Sequence, residues 1–414
     1  MKYDVLVIGG GPAGMIAAGR AGELGAKVVL IEKNSRLGVK LLITGKGRCN
    51  ITNFTENTRE LVNTIGEGSK FLYSALNNFG VTDVISFFND RGVKTKVERG
   101  NRVFPESDRS TGVLTALKGY LQSSEVEVIK GDRVKSAVSS SGHIERVFLS
   151  SGKEIVADHY IIATGGKSYP ATGSTGDGYD WLENLGHKIT KLKPALVPII
   201  LKDDFISELE GLSLKNVEIS VYKNNKKIDS RFGEALFTKD GMSGPIILDL
   251  SKNIGQELPG KITLQIDFKP ALSFAQLDVR IQRDFAENSN RMFKNVLGLL
   301  LPAKMIPVMI KSSGIDPDIK VNSITKSDRK DLIHLLKEFS LTVKGLEDYD
   351  RAIITTGGVD LSEVDSKTMK SVVVDNLYLA GEILDLDGPT GGYNLQICWS
   401  TGYLAGESAT KSKK

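Results

Sequence analysis

Three glycines, Gly9, Gly11 and Gly14, stand in the spacing G-x-G-x-x-G between the apolar run Asp4 to Ile8 and a small-residue stretch, Met15 to Leu24. In a strand-turn-helix setting the first glycine permits a tight turn and the second lets a pyrophosphate approach the main chain. The third lets the helix lie close on the strand. Pro12 and Ala13 fill the turn, and the helix N-terminus behind it offers unpaired N–H groups and partial positive charge to a diphosphate. Lys27 to Ile31 is the next β-branched run, ending in Glu32, 18 positions past Gly14, with Lys33 beside it. A carboxylate there accepts hydrogen bonds from a ribose and disfavours a 2′-phosphate. The segment reads as one βαβ unit with a right-handed crossover.

A second group lies in Arg36 to Asn53, where Lys40, Lys46 and Arg48 alternate with Thr44, Gly45 and Gly47 and lead into Cys49 and Asn50. Cations beside flexible main chain suit the second side of a diphosphate, or a flat ring that needs close contact. Cys49 is either a thiol acid near such a ring or a buried, inert cysteine. A third group is IIATGG, Ile161 to Gly166, which places Thr164 and Gly165 at a strand end, where open α/β sheets bind ligands. The GSTGDG run that follows, Gly173 to Gly178, reads as a plain loop and not as a second dinucleotide fingerprint. A fourth group closes the chain: a strand ends in Gly381 and Glu382, and a glycine-rich loop enters a helix near Asn394. The carboxylate suits sugar-alcohol hydroxyls, and the helix start suits developing negative charge.

These groups need a scaffold. The 414 residues exceed what one core serves, so two or three domains are expected. Asp132 to Val138, Ile144 to Leu149 and Glu154 to Ala157 read as a β-meander feeding a separate strand, Tyr160 to Ala163. Longer, more polar strands follow Pro194 (Val217 to Tyr222, Gly233 to Phe237, Ile262 to Asp267), then helical periodicity over Ser273 to Ser312, with Val296 to Ile310 as a buried helix. Small-residue strand texture resumes at Ala352, and a final helix is expected from about Leu395 to Ser408. The domain reading is a first segment 1–190, an insert 191–350 (β-rich 191–270 and about 336–350, helical 271–335) and a second segment 351–414.

Composition excludes several classes. Hydrophobic and charged fractions of 40% and 25% fit neither a disordered chain nor a membrane bundle, and no apolar run reaches membrane-spanning length. A net charge of +4 is too mild to announce a nucleic-acid binder. Two distant cysteines form no disulfide framework or zinc site, no metal site is expected, and a reducing cytoplasm is the expected location.

Together the Gly9 to Gly14 turn, GKGRCNITN, GGKSYPATGSTGDGY, LFTKDGMSGP and GEILDLDGPTGGYN resemble, over essentially the whole chain, a bacterial flavoprotein family. It is labelled aminoacetone oxidase-like or 3-dehydro-bile-acid reductase-like and includes the ribosomal-RNA dihydrouridine synthases. The resemblance implies an α/β fold: a glutathione-reductase-like FAD-binding Rossmann domain in two segments, with an inserted β-barrel-like part and a helical part. It implies FAD on Gly9 to Gly14, Glu32, the Lys40 to Asn50 loop, Val134 in the meander, and Glu382 with the helix start Tyr393, Asn394, Leu395 and Gln396. Related flavoproteins usually carry Asp after the strand-end glycine, so either Glu382 or Asp385 is expected to hold the ribityl chain.

A flavin supplies hydride chemistry that no side chain can. The expected reaction is reduction of a C=C conjugated to a carbonyl, with Cys49, Tyr169 or Tyr393 as proton donor. With one dinucleotide fingerprint, NADH or NADPH is expected only as a transient electron donor. The substrate expectation is a uridine of 23S rRNA, with a steroid-like or other small enone as the alternative. Lys223, Lys226, Lys227 and Arg231, and Arg99, Arg102 and Arg109, are the cation clusters an RNA would need. A flavin-containing binding protein without turnover and a flavin-free NAD-dependent dehydrogenase are the readings from other classes.

Overall fold

The computed structural model describes residues 2–411, which divide into two compact units, 2–194 with 352–411, and Ala195–Arg351.

The first unit is built on a seven-stranded sheet. Glu127–Lys130, Val28–Glu32, Lys2–Ile8 and Glu154–Ile162 run parallel in that spatial order, and Leu377–Leu379 joins parallel to the far end of Glu154–Ile162. Val5, Leu6 and Val7 have no exposed surface, as a strand covered on both faces requires. The antiparallel strands Val134–Ser140 and His143–Leu149 extend the sheet from the other end of Glu154–Ile162. The runs expected as two strands, Glu154 to Ala157 and Tyr160 to Ala163, are therefore one nine-residue strand that changes partner along its length. Residues 154–158 alternate in burial, whereas Tyr160, Ile161 and Ile162 are all buried, so the two halves carry different patterns.

The first helix, Pro12–Glu23, starts on a proline whose missing N–H costs nothing there. It is clasped on two sides. A Cβ on Gly19 would lie 2.3 Å from the Tyr120 ring of helix Ser110–Ser123, and one on Gly402 or Gly406 of the final helix would lie 2.4 or 2.3 Å from the carbonyl oxygens of Ala13 or Ala17. The final helix spans Tyr393–Lys411, two residues earlier and three later than its apolar pattern indicated.

The second unit is a closed six-stranded barrel. Its order is Ile199–Leu201, Gly241–Ser243, Lys226–Thr238, Ser213–Lys223, Ile262–Asp267 and Phe339–Leu346, the last pairing back to the first. Helices Phe274–Glu287 and Lys326–Lys337 each begin with a reciprocal capping box, Ser273 with Gln276 and Thr325 with Asp328. The buried helix expected over Val296 to Ile310 is broken into Phe293–Val296, a 3-10 turn Leu297–Leu299 and Met305–Ser313. Pro302 supplies no N–H to continue the first piece, while Pro307 sits in the first turn of the last one, where none is needed.

A buried polar chain fastens the first unit's second segment to its first. Ser371 Oγ accepts the N–H groups of Val373 and Val374 (3.0 and 2.8 Å), which leaves its own proton for His187 Nε2 at 2.9 Å. His187 therefore carries its proton on Nδ1 and donates it to Glu363 Oε2, also at 2.9 Å. Burial pushes the imidazole below its ordinary value, outweighing the carboxylate that pulls the other way. The neutral form is thus the folded form. Below about pH 6.5 the unfolded chain binds a proton that the folded chain refuses, so stability present above that value is lost as pH falls. Urea melts at pH 7.5 and 5.5 should show an acid loss that His187→Gln flattens.

For the helix clasp, Gly406→Ala should destabilise the first unit by about 1–3 kcal/mol. Gly119→Ala, where a Cβ would meet nothing within 4 Å, should be neutral or slightly stabilising in the same denaturation assay.

Candidate active site

The parallel strands end along one edge, and the glycine turn sits at its centre. A Cβ on Gly9 (φ 110°) would lie 2.4 Å from Ala163 O, and one on Gly14 would lie 1.9 Å from Gly9 O, so both glycines are demanded by the fold itself. Gly11 differs. Its backbone is extended (φ −81°, ψ −175°), and a Cβ there would meet nothing within 4 Å. The space in front of Gly11, at the helix N-terminus, is left open for something other than protein.

Glu32 is buried and takes the Gly10 N–H on Oε2 and the Asn34 N–H on Oε1, both at 2.7 Å, so its carboxylate is fixed against the turn. Lys33 points to Thr175 and to Asp177 (2.9 Å), which opens helix Asp177–Asn184. The run Gly173 to Gly178 therefore ends on a helix whose first turn is acidic, a poor seat for a second diphosphate. Beside these residues an open cavity of about 480 Å³ is lined by Lys33, Asn34, Gly131, Arg133, Pro170 and Gly173. Val134, buried, opens the strand just beyond it.

Across the turn, Gly381 (φ 80°) packs so closely that a Cβ would lie 2.8 Å from that of Ala13. This brings Glu382 to the crevice. Its Oε1 accepts the Thr355 N–H (2.9 Å) and lies 3.0 Å from Ser168 Oγ; Lys40 Nζ lies 2.8 Å from Oε2 and 3.2 Å from Oε1. Asp385 instead accepts from Thr190 Oγ1 at 2.9 Å, on a different segment from this group. Of the two carboxylates considered for the ribityl chain, Glu382 is the one at the glycine turn.

The Lys40 to Asn50 loop is divided in its loyalties. Thr44 caps its own helix through Leu41 O, Gly45, Lys46 and Gly47 all have positive φ, and a Cβ on Gly45 would lie 2.8 Å from Asn50 N. Arg48 turns outward, over the Phe104 ring at 4.0 Å and into an ion-pair network with Glu98, Asp108 and Lys96. Cys49 has no exposed surface, and burial pushes its thiol up to about 12. Of the other proton-donor candidates, Tyr393 is half-buried at the start of the final helix. Tyr169, also half-buried, holds a left-handed backbone (φ 52°, ψ 58°) directly before Pro170. The side chains of Asn394 and Gln396 are committed internally, Asn394 to the main chain of Gly388 and Pro389, Gln396 to Thr52, Ser400 and Phe79 O. Leu395 packs on the core. Apart from Tyr393, what this helix start can offer a ligand is therefore main chain.

Two groups here were not foreseen, Ser168 and Thr355; Thr355 Oγ1 accepts the N–H groups of Lys167 and Ser168 at 2.7 and 3.1 Å. A signal existed: IITTGG, Ile353 to Gly358, echoes IIATGG, Ile161 to Gly166, and Thr355 of the first meets the residues just after the second.

Does FAD fit? Among the described residues, Asn50 Oδ1 and Thr164 Oγ1 are buried with no hydrogen-bond partner. Orphaned polar atoms, the open space before Gly11 and the carboxylates Glu32 and Glu382 at the ends of two of the strands are what a dinucleotide with sugar hydroxyls would satisfy. Fold and site together define an α/β protein of the Rossmann type whose crevice suits a dinucleotide such as FAD. More narrowly, the chain belongs to the HI0933-like protein Rossmann domain family, which matches residues 3–408.

It is 32% identical over 410 residues to a 3-dehydro-bile acid delta(4,6)-reductase of Clostridium scindens, covering 98% of each chain. It is 29% identical over 415 residues to the ribosomal RNA dihydrouridine synthase of Escherichia coli, covering 100% of this chain and 99% of that one. Among solved structures, the fold is similar to the 3-ketosteroid delta1-dehydrogenase of Sterolibacterium denitrificans. That likeness has a TM-score of 0.57 at 13% identity and covers 99% of this chain and 100% of the other.

The contrast between the glycines yields a test. Gly11→Ala should leave the melting temperature of the apoprotein unchanged, within about 0.5 kcal/mol of stability, yet lower the FAD retained on purification at least about tenfold, read as the 450 nm to 280 nm absorbance ratio.

Proposed function

We propose that this chain is a reductase of a C=C bond conjugated to a carbonyl, and that its substrate is a uridine of 23S rRNA, which it converts to dihydrouridine. One observation carries the reading: relatives similar along their full length are named for two different substrates, yet both names describe saturating a C=C bond. One scaffold with one cofactor accounts for both.

When bound, FAD would supply the hydride chemistry, with NADH or NADPH as the transient electron donor. The chain does the rest. The main chain of Gly9 to Gly14 and the helix behind it hold the diphosphate, Glu32 orients the ribose, and Glu382 orients the ribityl chain. Asn50, Gly45 and Gly47 would hold the ring system, Gly165 and Thr164 would close the strand edge, and the N–H groups at the start of the final helix would stabilise negative charge on the ring. A side chain then gives the proton to the carbon next to the one that takes the hydride. Tyr169 and Tyr393 suit that step better than Cys49, whose thiol has no exposed surface.

A reductase of a small enone is the second reading, favoured by a specific observation. Of the cluster Lys223, Lys226, Lys227 and Arg231, three are already paired, with Glu257, Glu218 and Asp229. An RNA gains little from cations already neutralised. The discriminating experiment gives the purified protein NADPH or NADH under anaerobic conditions with either unmodified 23S rRNA or a 3-keto-4-ene steroid. Dihydrouridine in the RNA digest, a gain of two mass units at one uridine, supports the first reading. Turnover of the steroid alone replaces it with the second. In the active assay Tyr169→Phe or Tyr393→Phe should cut turnover about 10²-fold or more, and full activity in both removes them as donors.

A further inference from the structure

The expectation for Lys40 was a cation for the diphosphate. The geometry around it is different. An ammonium has three protons to give, and Lys40 Nζ has three partners: Ser168 Oγ at 2.6 Å and Glu382 Oε2 and Oε1 at 2.8 and 3.2 Å. The two Glu382 oxygens lie side by side and share one of those N–H groups, so two of the three are held within this cluster. Glu382 is asymmetric in turn. Its Oε1 is crowded by the Thr355 N–H, Ser168 Oγ and Lys40, whereas Oε2 has Lys40 alone among the described residues and keeps room for another donor. Ser168 has no exposed surface, and the Lys40 and Glu382 side chains are about one-fifth and one-sixth exposed (22% and 16%), so the group is screened from water on its inner side.

Glu382 stands against the glycine turn through the Gly381 to Ala13 contact, and Glu32 is fixed at the same turn. A bound dinucleotide adds two further negative charges. An unpaired carboxylate so close to a diphosphate, in a partly desolvated crevice, would repel the ligand whose hydroxyls it is shaped to receive.

We propose that Lys40 is a positioning residue that acts on the cofactor through Glu382: its charge neutralises that carboxylate and, with Ser168 and Thr355, fixes Oε1 so that Oε2 is presented to a sugar-alcohol hydroxyl. The proposal rests on the flavin reading above. It separates two roles that a lysine near a diphosphate can play, attraction of the anion and permission for a neighbouring anion to stay.

The two roles differ in a double-mutant cycle. The holoprotein is stripped of FAD, and FAD is titrated back while its fluorescence is followed, for the wild-type chain, Lys40→Gln, Glu382→Gln and the pair; melting of each apoprotein confirms folding. Lys40→Gln should weaken FAD binding by about 10- to 100-fold, because it strands a partly buried carboxylate. In the Glu382→Gln background the same change should cost less than about threefold. Lys40→Arg, which keeps the charge, should stay closer to wild type than Lys40→Gln and reports the same outcome if the Gln variant fails to fold. Equal losses in both backgrounds mean that Lys40 touches the diphosphate and overturn the proposal alone, as does an unaffected Lys40→Gln. A wild-type apoprotein that takes up no FAD overturns the flavin reading and this proposal with it.

Discussion

The close seating of the final helix on the first one is the contact on which the cofactor unit depends. Two stretches separated in sequence by residues 195–351 must rebuild one sheet, and the returning strand, Leu377–Leu379, contributes only three residues of ladder. So short a strand does not define its own register strongly. The nineteen-residue final helix does so instead, because Gly402 and Gly406 leave nothing between its axis and the carbonyls of Ala13 and Ala17. Side chains four residues apart share one helix face, so the pair sets both the distance and the rotation of one helix against the other. With those fixed, Gly381 meets Ala13 and the carboxylate that follows it lands at the glycine turn.

The electrostatics of that turn follow from where cations go. Lys33, Lys40 and Arg48 all precede the fiftieth residue, and read along the chain they look like a basic cradle. In three dimensions each has a carboxylate: Asp177 for Lys33, Glu382 for Lys40, Glu98 and Asp108 for Arg48. Lys46 stays exposed, and the fixed attraction left for a diphosphate comes from main-chain N–H groups at the start of Pro12–Glu23. A site that works this way holds its ligand by shape and fixed dipoles, which cost no side-chain ordering when the ligand arrives.

The parts of this site that are legible in the sequence are those whose geometry is local. The turn from Gly9 to Gly14 and the carboxylate at Glu32 follow from spacing within one βαβ unit. The β part and the helical part of the insert show in its strand and helix textures, whereas a barrel-like insert is implied by the resemblance alone. The choice between Glu382 and Asp385 does not, since it depends on Ala13 and Thr190, hundreds of residues away. Pairing between elements hides likewise: Lys227 pairs across strands with Glu218 and Lys223 pairs with Glu257 at the end of a helix, so a lysine-rich hairpin that reads as a free basic patch is largely neutral. The strand Glu154–Ile162 was divided in two because its burial changes from alternating to continuous where its neighbour changes, and a pattern search assigns a change of texture to a boundary.

The Glu at position 382, where the resemblance leads one to expect Asp, has a physical reading in the same contacts. One more methylene moves the carboxylate by about 1.5 Å, a single carbon–carbon bond. That reach lets Oε1 turn back to the Thr355 N–H and Ser168 while Oε2 remains on the open side with Lys40. A shorter carboxylate rooted at the same Cα, itself pinned by the neighbouring Gly381 contact with Ala13, would have to give up either the anchor or the outward oxygen. The longer side chain carries more rotamer entropy, which ordering must offset. Here the offset comes from contacts with Lys40, Ser168 and Thr355, already made within the protein, so the carboxylate meets a ligand with its geometry settled beforehand.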